Sequence, residues 1–144
     1  MPTSTQVRQV SASSEKIAAL FESPDTIGLF YAFVARTESS EGVSTWFLKD
    51  QQRRITRTKG LQVRITQEGM RLFNVRGEGE HLHIESVVEL LPVADGTEVS
   101  HTLTMEVKGM IRTVLNKVIS ANIAGQAKAF LMNIERYFNS DYTD

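Results

Sequence analysis

The sequence predicts an α+β fold in which a curved antiparallel sheet of about six or seven strands wraps around one long C-terminal helix. The first observation is a series of strand-like runs, from about residue 33 to residue 108, joined by short turns. Short turns favour antiparallel pairing. The second observation is a helical apolar stripe after residue 109. One face of the sheet must be covered, and only this helix is long enough to cover it.

A strand and two short helices are predicted before the main sheet. Thr3 to Val10 alternates weakly, so its pattern does not decide which side faces the core. The serines of Ser11–Ser14 can cap a short helix that begins near Glu15. Ser23-Pro24-Asp25 is a second helix start, because it combines a capping residue, a proline at the first helical position and an early acid.

The central runs have the period of two that is typical of half-buried strands. Leu61, Val63 and Ile65 alternate with polar residues, which makes this run the clearest of the central group. The strand from Leu82 is predicted to end at Pro92. The segment Asp50–Lys59 is polar and basic, and it is consistent with a loop or with an exposed strand. Turns are predicted at Ser39–Gly42, Glu68-Gly69, Gly77–Gly79 and Asp95-Gly96.

The last strand and the long helix have the strongest patterns in the chain. Thr97–Lys108 places one apolar row on a single face, interrupted only by a histidine: Val99, His101, Leu103, Met105 and Val107. Gly109 breaks the strand, and a helix is predicted over Met110–Phe138. Gly125 lies in the middle of this helix and predicts a bend or a close backbone approach.

Composition limits the classes of function. A chain of 144 residues is the size of one domain, predicted here as 1–144. The absence of cysteine excludes disulfides, thiolate metal sites and a cysteine nucleophile. A net charge of −1 argues against a general nucleic-acid binder. The polar N-terminus and the lack of a long apolar run predict a cytoplasmic protein with neither signal peptide nor membrane span.

A sheet that curves around one helix leaves a space between them, which is a natural apolar pocket. Strand parity, the stripe of the helix and the exit of the second short helix, which should close one end, predict most of the residues that line it. Trp46 and Phe73 are added although their strands have mixed parity. The predicted lining residues are Phe30, Phe33, Trp46, Phe73, His101, Leu103, Leu115 and Ile119. The aromatic members suit a flat ligand, and core packing explains them equally well.

The order of elements, together with two sequence segments, resembles a known superfamily. The first segment is Leu90-Leu91-Pro92 followed by Asp95-Gly96-Thr97-Glu98-Val99, the strand to Val107 and Lys108-Gly109. The second runs from Val10 through Leu20 to Ser23-Pro24. Both resemble the START/Bet v 1-like helix-grip domains, also called SRPBCC. The similarity is greatest to the polyketide cyclase/dehydrase and lipid-transport-like members, including the carbon monoxide dehydrogenase G group.

The resemblance implies a fold and several possible functions, because the superfamily holds lipid carriers, cyclases and ribosome-binding proteins. The leading prediction is binding of a hydrophobic small molecule or lipid, with no cofactor. The first alternative is an enzyme of the polyketide cyclase/dehydrase kind, in which His101 or Tyr31 does acid–base work. Whether a reaction is catalysed, which ligand is bound and how many copies of the chain associate stay open at this point.

Two further groups of residues could carry a function. His81 and His83 have a spacing that metal sites sometimes use, with Glu85 on the same face, but the opposite parity is the apolar one, so we expect a solvated face and no metal. Basic residues crowd the middle strands and motivate a second alternative, an RNA- or ribosome-associated interaction module. They are Arg53, Arg54, Arg57, Lys59, Arg64, Arg71 and Arg76. Most such clusters are solvated faces, which makes a nucleic-acid partner the less favoured hypothesis.

Overall fold

The computed structural model describes the backbone of residues 2–49, 60–108 and 112–142, and the side chains of residues 2–49, 60–108 and 121–139. The elements follow one another in the predicted order. They are β1 (Thr3–Val10), α1 (Ser14–Ala19), a 3₁₀ turn (Leu20–Glu22), α2 (Pro24–Gly28), β2 (Val34–Ser40), β3 (Val43–Leu48), β4 (Leu61–Glu68), β5 (Leu72–Glu78), β6 (Leu82–Val93), β7 (Gly96–Val107) and α3 (Arg112–Tyr142).

The seven strands of the described residues form one curved antiparallel sheet in the order β1-β7-β6-β5-β4-β3-β2. Strands β2 to β6 each pair antiparallel with the next strand along the chain. Strand β1 is the exception, because it pairs antiparallel with β7. The first and the last strand in the sequence are therefore neighbours in the sheet. This architecture confirms the prediction of a helix-grip sheet with two short helices after the first strand.

Helix α3 packs against β1 and β7, and the face of the sheet that looks toward it is called the inner face. The alternating row of β7 from Val99 to Val107 is buried, as its period predicted. The helix contributes a matching buried stripe: Ile123, Ala127, Phe130, Leu131 and Ile134. Its spacing of three and four residues keeps these side chains on one side of the helix. The interior therefore lies between this stripe and the inner face.

The N-terminal helices pack against the sheet, α2 on β2 and β3 and α1 on β6. Ser13 caps α1, with its hydroxyl accepting a bond from the Lys16 amide at 3.3 Å, and Pro24 occupies the first turn of α2. The Trp46 indole Nε1 donates to the Pro24 carbonyl at 3.0 Å, and the Thr37 hydroxyl donates to the Asp25 carbonyl at 3.1 Å. These bonds hold α2 on the β2–β3 hairpin.

Two predicted strand ends were wrong. The segment Gly77–Gly79 was expected to be a turn, but β5 continues to Glu78. Gly77 lies on the inner face, where a Cβ would be 2.9 Å from the side chain of Ile84, so glycine here permits close packing in a strand. Strand β6 also continues past Pro92 to Val93. Its pairing with β5 has already ended at Glu89, so the missing proline N–H removes no bond on that side.

The long helix ends at Tyr142, four residues beyond the predicted Phe138, and its predicted start at Met110 lies outside the described residues, as does the segment Asp50–Lys59. Gly125 has open space around the position of a Cβ, so the close approach expected there is absent within the described residues. No helix in the described part of the chain is both long enough and apolar enough to cross a membrane.

Candidate ligand-binding site

A chain of hydrogen bonds crosses the interior between the sheet and α3. The Tyr31 hydroxyl lies 2.6 Å from the Ser86 hydroxyl, which lies 2.7 Å from Nε2 of His101. Nδ1 of His101 lies 3.0 Å from the carbonyl oxygen of Ala127 on α3. The side chains of Tyr31, Ser86 and His101 are at most 1% exposed. We call Tyr31, Ser86 and His101 the polar chain.

The bond between His101 and the Ala127 carbonyl determines which groups of the polar chain donate and which accept. A backbone carbonyl only accepts, so Nδ1 of His101 carries the proton and donates to Ala127. In the neutral imidazole, Nε2 is then an acceptor, and the Ser86 hydroxyl donates to it. The Ser86 oxygen in turn accepts from the Tyr31 hydroxyl. Each proton of the polar chain therefore has an acceptor, which is what burial of polar groups requires.

Burial keeps the polar chain uncharged. Desolvation lowers the pKa of His101 from 6.5 to about 4, while its bond to the Ala127 carbonyl raises that pKa by a smaller amount. Desolvation also raises the pKa of Tyr31 above its ordinary value of 10.0, and the Ser86 hydrogen bond opposes this shift. Both side chains are neutral at physiological pH. They can donate and accept hydrogen bonds without bringing a charge into the interior.

Aromatic rings surround the Tyr31 end of the polar chain. The Tyr31 ring centroid lies 4.3 Å from that of Phe130, 5.0 Å from that of Trp46 and 5.5 Å from that of Phe33. The His101 ring also lies 4.4 Å from Phe130. Tyr31 follows α2, Trp46 lies on β3, His101 on β7 and Phe130 on α3. Four separate parts of the chain therefore meet around one buried phenol.

The predicted lining residues fall into separate groups. Phe33, Trp46 and His101 gather around Tyr31, as described above, and Leu103 is fully buried on the same row as His101. Phe73 is buried but stacks on Phe21 of the 3₁₀ turn, with ring centroids 4.4 Å apart. Phe30 is half-buried and meets Tyr137 near the end of α3 at 5.4 Å. The side chains of Leu115 and Ile119 lie outside the described residues.

The rest of the described inner face is apolar. Its buried side chains on β4 to β7 include Leu61, Val63, Val75, Ile84 and Met105. The buried polar residues among the described side chains are Ser44, Ser86, Thr97 and His101, and none of these carries an ionised group at neutral pH. A molecule held against this face would meet hydrocarbon, aromatic rings and neutral hydrogen-bonding groups.

Sequence reasoning missed Ser86 and Phe130. Ser86 interrupts the inner row of β6, in which Ile84, Val88 and Leu90 are buried, in the same way that His101 interrupts the row of β7. That interruption was a usable signal, because a serine in an apolar row needs a buried partner. Phe130 belongs to the buried stripe of α3, but its contact with Tyr31 depends on how α3 crosses the sheet and could not be read from periodicity.

The outer face of the sheet carries the remaining candidates. The side chain of His83 is paired with Glu78, and His81 lies 3.7 Å from Glu80. Of the seven basic residues of the predicted RNA-binding cluster, Arg64 and Arg76 lie on β4 and β5, and Arg71 lies just before β5. The other four, Arg53, Arg54, Arg57 and Lys59, lie outside the described residues, so the RNA hypothesis stays a prediction.

No family model and no curated protein matches the sequence. The fold, however, is similar to several solved structures. A START superfamily protein from Mycobacterium smegmatis is 12% identical with a TM-score of 0.67, and the alignment covers 94% of this chain and 98% of that one. A conserved protein from Geobacillus kaustophilus is 15% identical with a TM-score of 0.69, covering 96% and 95% of the two chains.

A third similar structure is the di-domain ARO/CYC StfQ from the steffimycin biosynthetic pathway. It is 10% identical with a TM-score of 0.68, and the alignment covers 99% of this chain and 52% of StfQ, which has two domains. At these identities the likeness concerns the fold. The chain has a START/Bet v 1-like helix-grip fold, as the resemblance predicted. The narrower resemblance to the carbon monoxide dehydrogenase G group stays a prediction.

Proposed function

We propose that this protein binds a neutral hydrophobic small molecule or lipid between the inner face of the sheet and α3. The observation that carries the proposal is the character of the described inner face, which is apolar and contains one neutral polar chain but no ionised side chain. Moving a charged group into such a space costs several kcal/mol unless it is paired. The ligand class is therefore uncharged in the part that enters.

The apolar rows supply the affinity and the polar chain supplies the orientation. Burial of ligand hydrocarbon contributes roughly 25 cal/mol per Å² before the entropic costs of association. The Tyr31 oxygen donates its proton to Ser86 and keeps acceptor capacity for a ligand hydroxyl. Phe30 and Phe33 are partly buried and pack against the core, and the Phe33 ring lies 5.5 Å from that of Tyr31.

Substitutions on the two faces of β7 test the proposal. Met105 faces the interior and is 8% exposed, and its neighbour Glu106 faces outward. In Met105→Trp the larger ring occupies ligand space, so we expect binding of Nile red, a neutral apolar dye, to weaken at least tenfold. Glu106→Trp adds the same ring to the outer face and should bind the dye like the wild type. Native mass spectrometry of the purified wild type should show a co-purified neutral ligand.

The test has clear negative outcomes. Met105→Trp costs about 1–3 kcal/mol of stability if the space is already filled, which urea unfolding measures. Leu115→Trp, on the predicted stripe of α3, is a second filling variant in case Met105→Trp does not fold. If the wild type neither binds Nile red nor carries a ligand, or if the inward and outward tryptophans act alike, the proposal fails.

The polar chain supports a second candidate, a cyclase/dehydrase-like enzyme. A buried histidine linked through a serine to a tyrosine can move a proton along hydrogen bonds, and one similar structure is an ARO/CYC protein. In an enzyme, Tyr31→Phe would abolish turnover of a poly-β-ketone substrate while leaving its binding intact. In a carrier, the same variant changes only affinity. Single-turnover product analysis beside a binding titration separates the two.

A further inference from the structure

A groove of about 610 Å³ lies on the outer face of the sheet, over β4 and β5. Its lining side chains point away from α3. They alternate along β4 and β5 with residues such as Val63 and Val75, which are buried on the inner face. The lining residues are Gln62, Arg64, Thr66, Asn74, Arg76 and Glu78. We call this the outer groove. It lies on the opposite side of the sheet from the interior site, so a ligand held there is independent of the proposed function.

Two arginines face each other across the outer groove. Arg64 and Arg76 are direct partners in the antiparallel register of β4 and β5. Like charges placed directly opposite one another destabilise a strand pair. Arg76 is relieved by Glu85 on β6, with Nε 2.9 Å from Oε2. Arg64 has no ion-pair partner among the described residues, so its charge is left uncompensated.

The carboxylate of Glu78 does not supply the missing charge. It lies at the end of the outer groove, where its strand partner is Gln62 and not Arg64. Lys108 approaches one of its oxygens at 2.8 Å, and His83 is paired with the other. The Lys108 bond is the main reason that the pKa of Glu78 is lowered. Both oxygens of Glu78 are therefore engaged by residues that do not line the groove.

Asn74 lines the outer groove beside Arg76 but offers no free acceptor to a ligand. Its Nδ2 donates to Oε2 of Glu85 at 3.2 Å. Its Oδ1 has no hydrogen-bond partner among the described residues, but this oxygen is buried and a molecule in the groove cannot reach it. The charged donors that line the groove are therefore Arg64 and Arg76.

We propose that the outer groove binds a small oxyanion, a carboxylate or a phosphate, at the guanidinium groups of Arg64 and Arg76. Their planar N–H donors suit two-point contact with either kind of anion. An anion bound there compensates the charge of Arg64, which no described residue neutralises.

Anionic and neutral probes test this proposal by ¹H–¹⁵N NMR titration of the whole chain. Succinate and inorganic phosphate are the anions, and succinamide, the neutral diamide of succinate, is the control. Saturable shifts of the Arg64 Nε signal are expected at millimolar concentrations of at least one anion, with none for succinamide. The anion that binds more tightly identifies the kind of group that the groove prefers.

Matched variants locate the site. Arg64→Gln removes the uncompensated charge and should weaken binding about tenfold, which corresponds to about 1.4 kcal/mol. Arg71→Gln removes the same charge from an exposed position outside the outer groove and should leave affinity unchanged. The proposal is wrong if neither anion gives saturable shifts, if succinamide binds as tightly as the anions, or if both arginine variants behave alike.

Discussion

At the scale of single residues, the interior depends on Ser86 as a link between two larger polar groups. Its hydroxyl donates to His101 and accepts from Tyr31, so it is the only member of the polar chain bonded to both other members. Removing it leaves two buried polar groups unpaired, and removing the Tyr31 hydroxyl leaves the Ser86–His101 bond in place. The two deletions should therefore differ, although each removes one oxygen atom.

Ser86→Ala is expected to lower the free energy of unfolding by about 2–4 kcal/mol, because the Tyr31 hydroxyl and His101 Nε2 both lose their partner. Tyr31→Phe should cost only about 1 kcal/mol, the net value of one hydrogen bond. Urea unfolding followed by circular dichroism measures both. Ser100→Ala on the outer face of β7 is the control and should change stability by less than about 0.5 kcal/mol. Equal costs for Ser86→Ala and Tyr31→Phe would contradict the proposed direction of the bonds.

At the scale of elements, helix α2 is held tightly against the β2–β3 hairpin. The Asp25 carboxylate accepts from the hydroxyls of Ser39 and Ser44, one on each strand of the hairpin. Gly28 ends the same helix and lies directly on Trp46, where a Cβ would be 2.7 Å from the indole ring. The helix can approach the hairpin this closely only because residue 28 has no side chain. Glycine at this position serves packing and not backbone conformation.

The two helical glycines should respond oppositely to alanine. Gly28→Ala forces the methyl group against Trp46 and Thr37 and is expected to cost about 1–3 kcal/mol. Gly125→Ala in α3 meets open space and should stabilise the protein by about 0.5–1 kcal/mol through helix propensity. Thermal unfolding of the two variants beside the wild type gives both signs. A stabilising Gly28→Ala would mean that α2 does not pack on Trp46 in this way.

At the scale of the whole molecule, the ionised side chains of the described residues are all exposed or partly exposed. The described ion pairs, such as Arg8–Glu135 between β1 and α3 and Arg76–Glu85 on the outer face, are partly exposed. Such pairs contribute little to stability. The folded protein is expected to lose stability in acid, because burial keeps His101 in its uncharged form.

Global stability should fall as the pH drops below about 6.5. The unfolded chain protonates His101 near its ordinary pKa of 6.5, and the folded protein does so only near 4. The unfolded state binds more protons between these values, so stability is lost progressively on acidification, by about 3 kcal/mol in total. Urea midpoints across this pH range measure the loss. His101→Gln should flatten this part of the profile, and His81→Gln, at an exposed histidine, should keep the wild-type slope. A wild-type slope in His101→Gln would exclude His101 as the cause.

The architecture could be predicted because it follows from local patterns. The period-two row of β7 and the helical stripe of α3 each bury one face, and short turns between strands leave antiparallel pairing as the simplest arrangement. The failures at Gly77–Gly79 and Pro92 have one cause. A glycine or a proline marks a turn only when no neighbouring strand accommodates it, and the neighbours are a property of the sheet.

The candidate site was predictable only in part, for a physical reason. Parity by itself determined that His101 and Leu103 face inward, since burying an apolar row dictates the side of every residue in it, whereas the mixed parity of its strand left the side of Trp46 open. Only the tertiary structure decided that Tyr31, Ser86 and His101 join in one hydrogen-bonded chain, and that Phe73 stacks on Phe21 instead of on the other rings. Those contacts join residues up to 70 positions apart, from Tyr31 to His101. Their distances depend on strand register, sheet curvature and the crossing of α3, none of which leaves a periodic signal in the sequence.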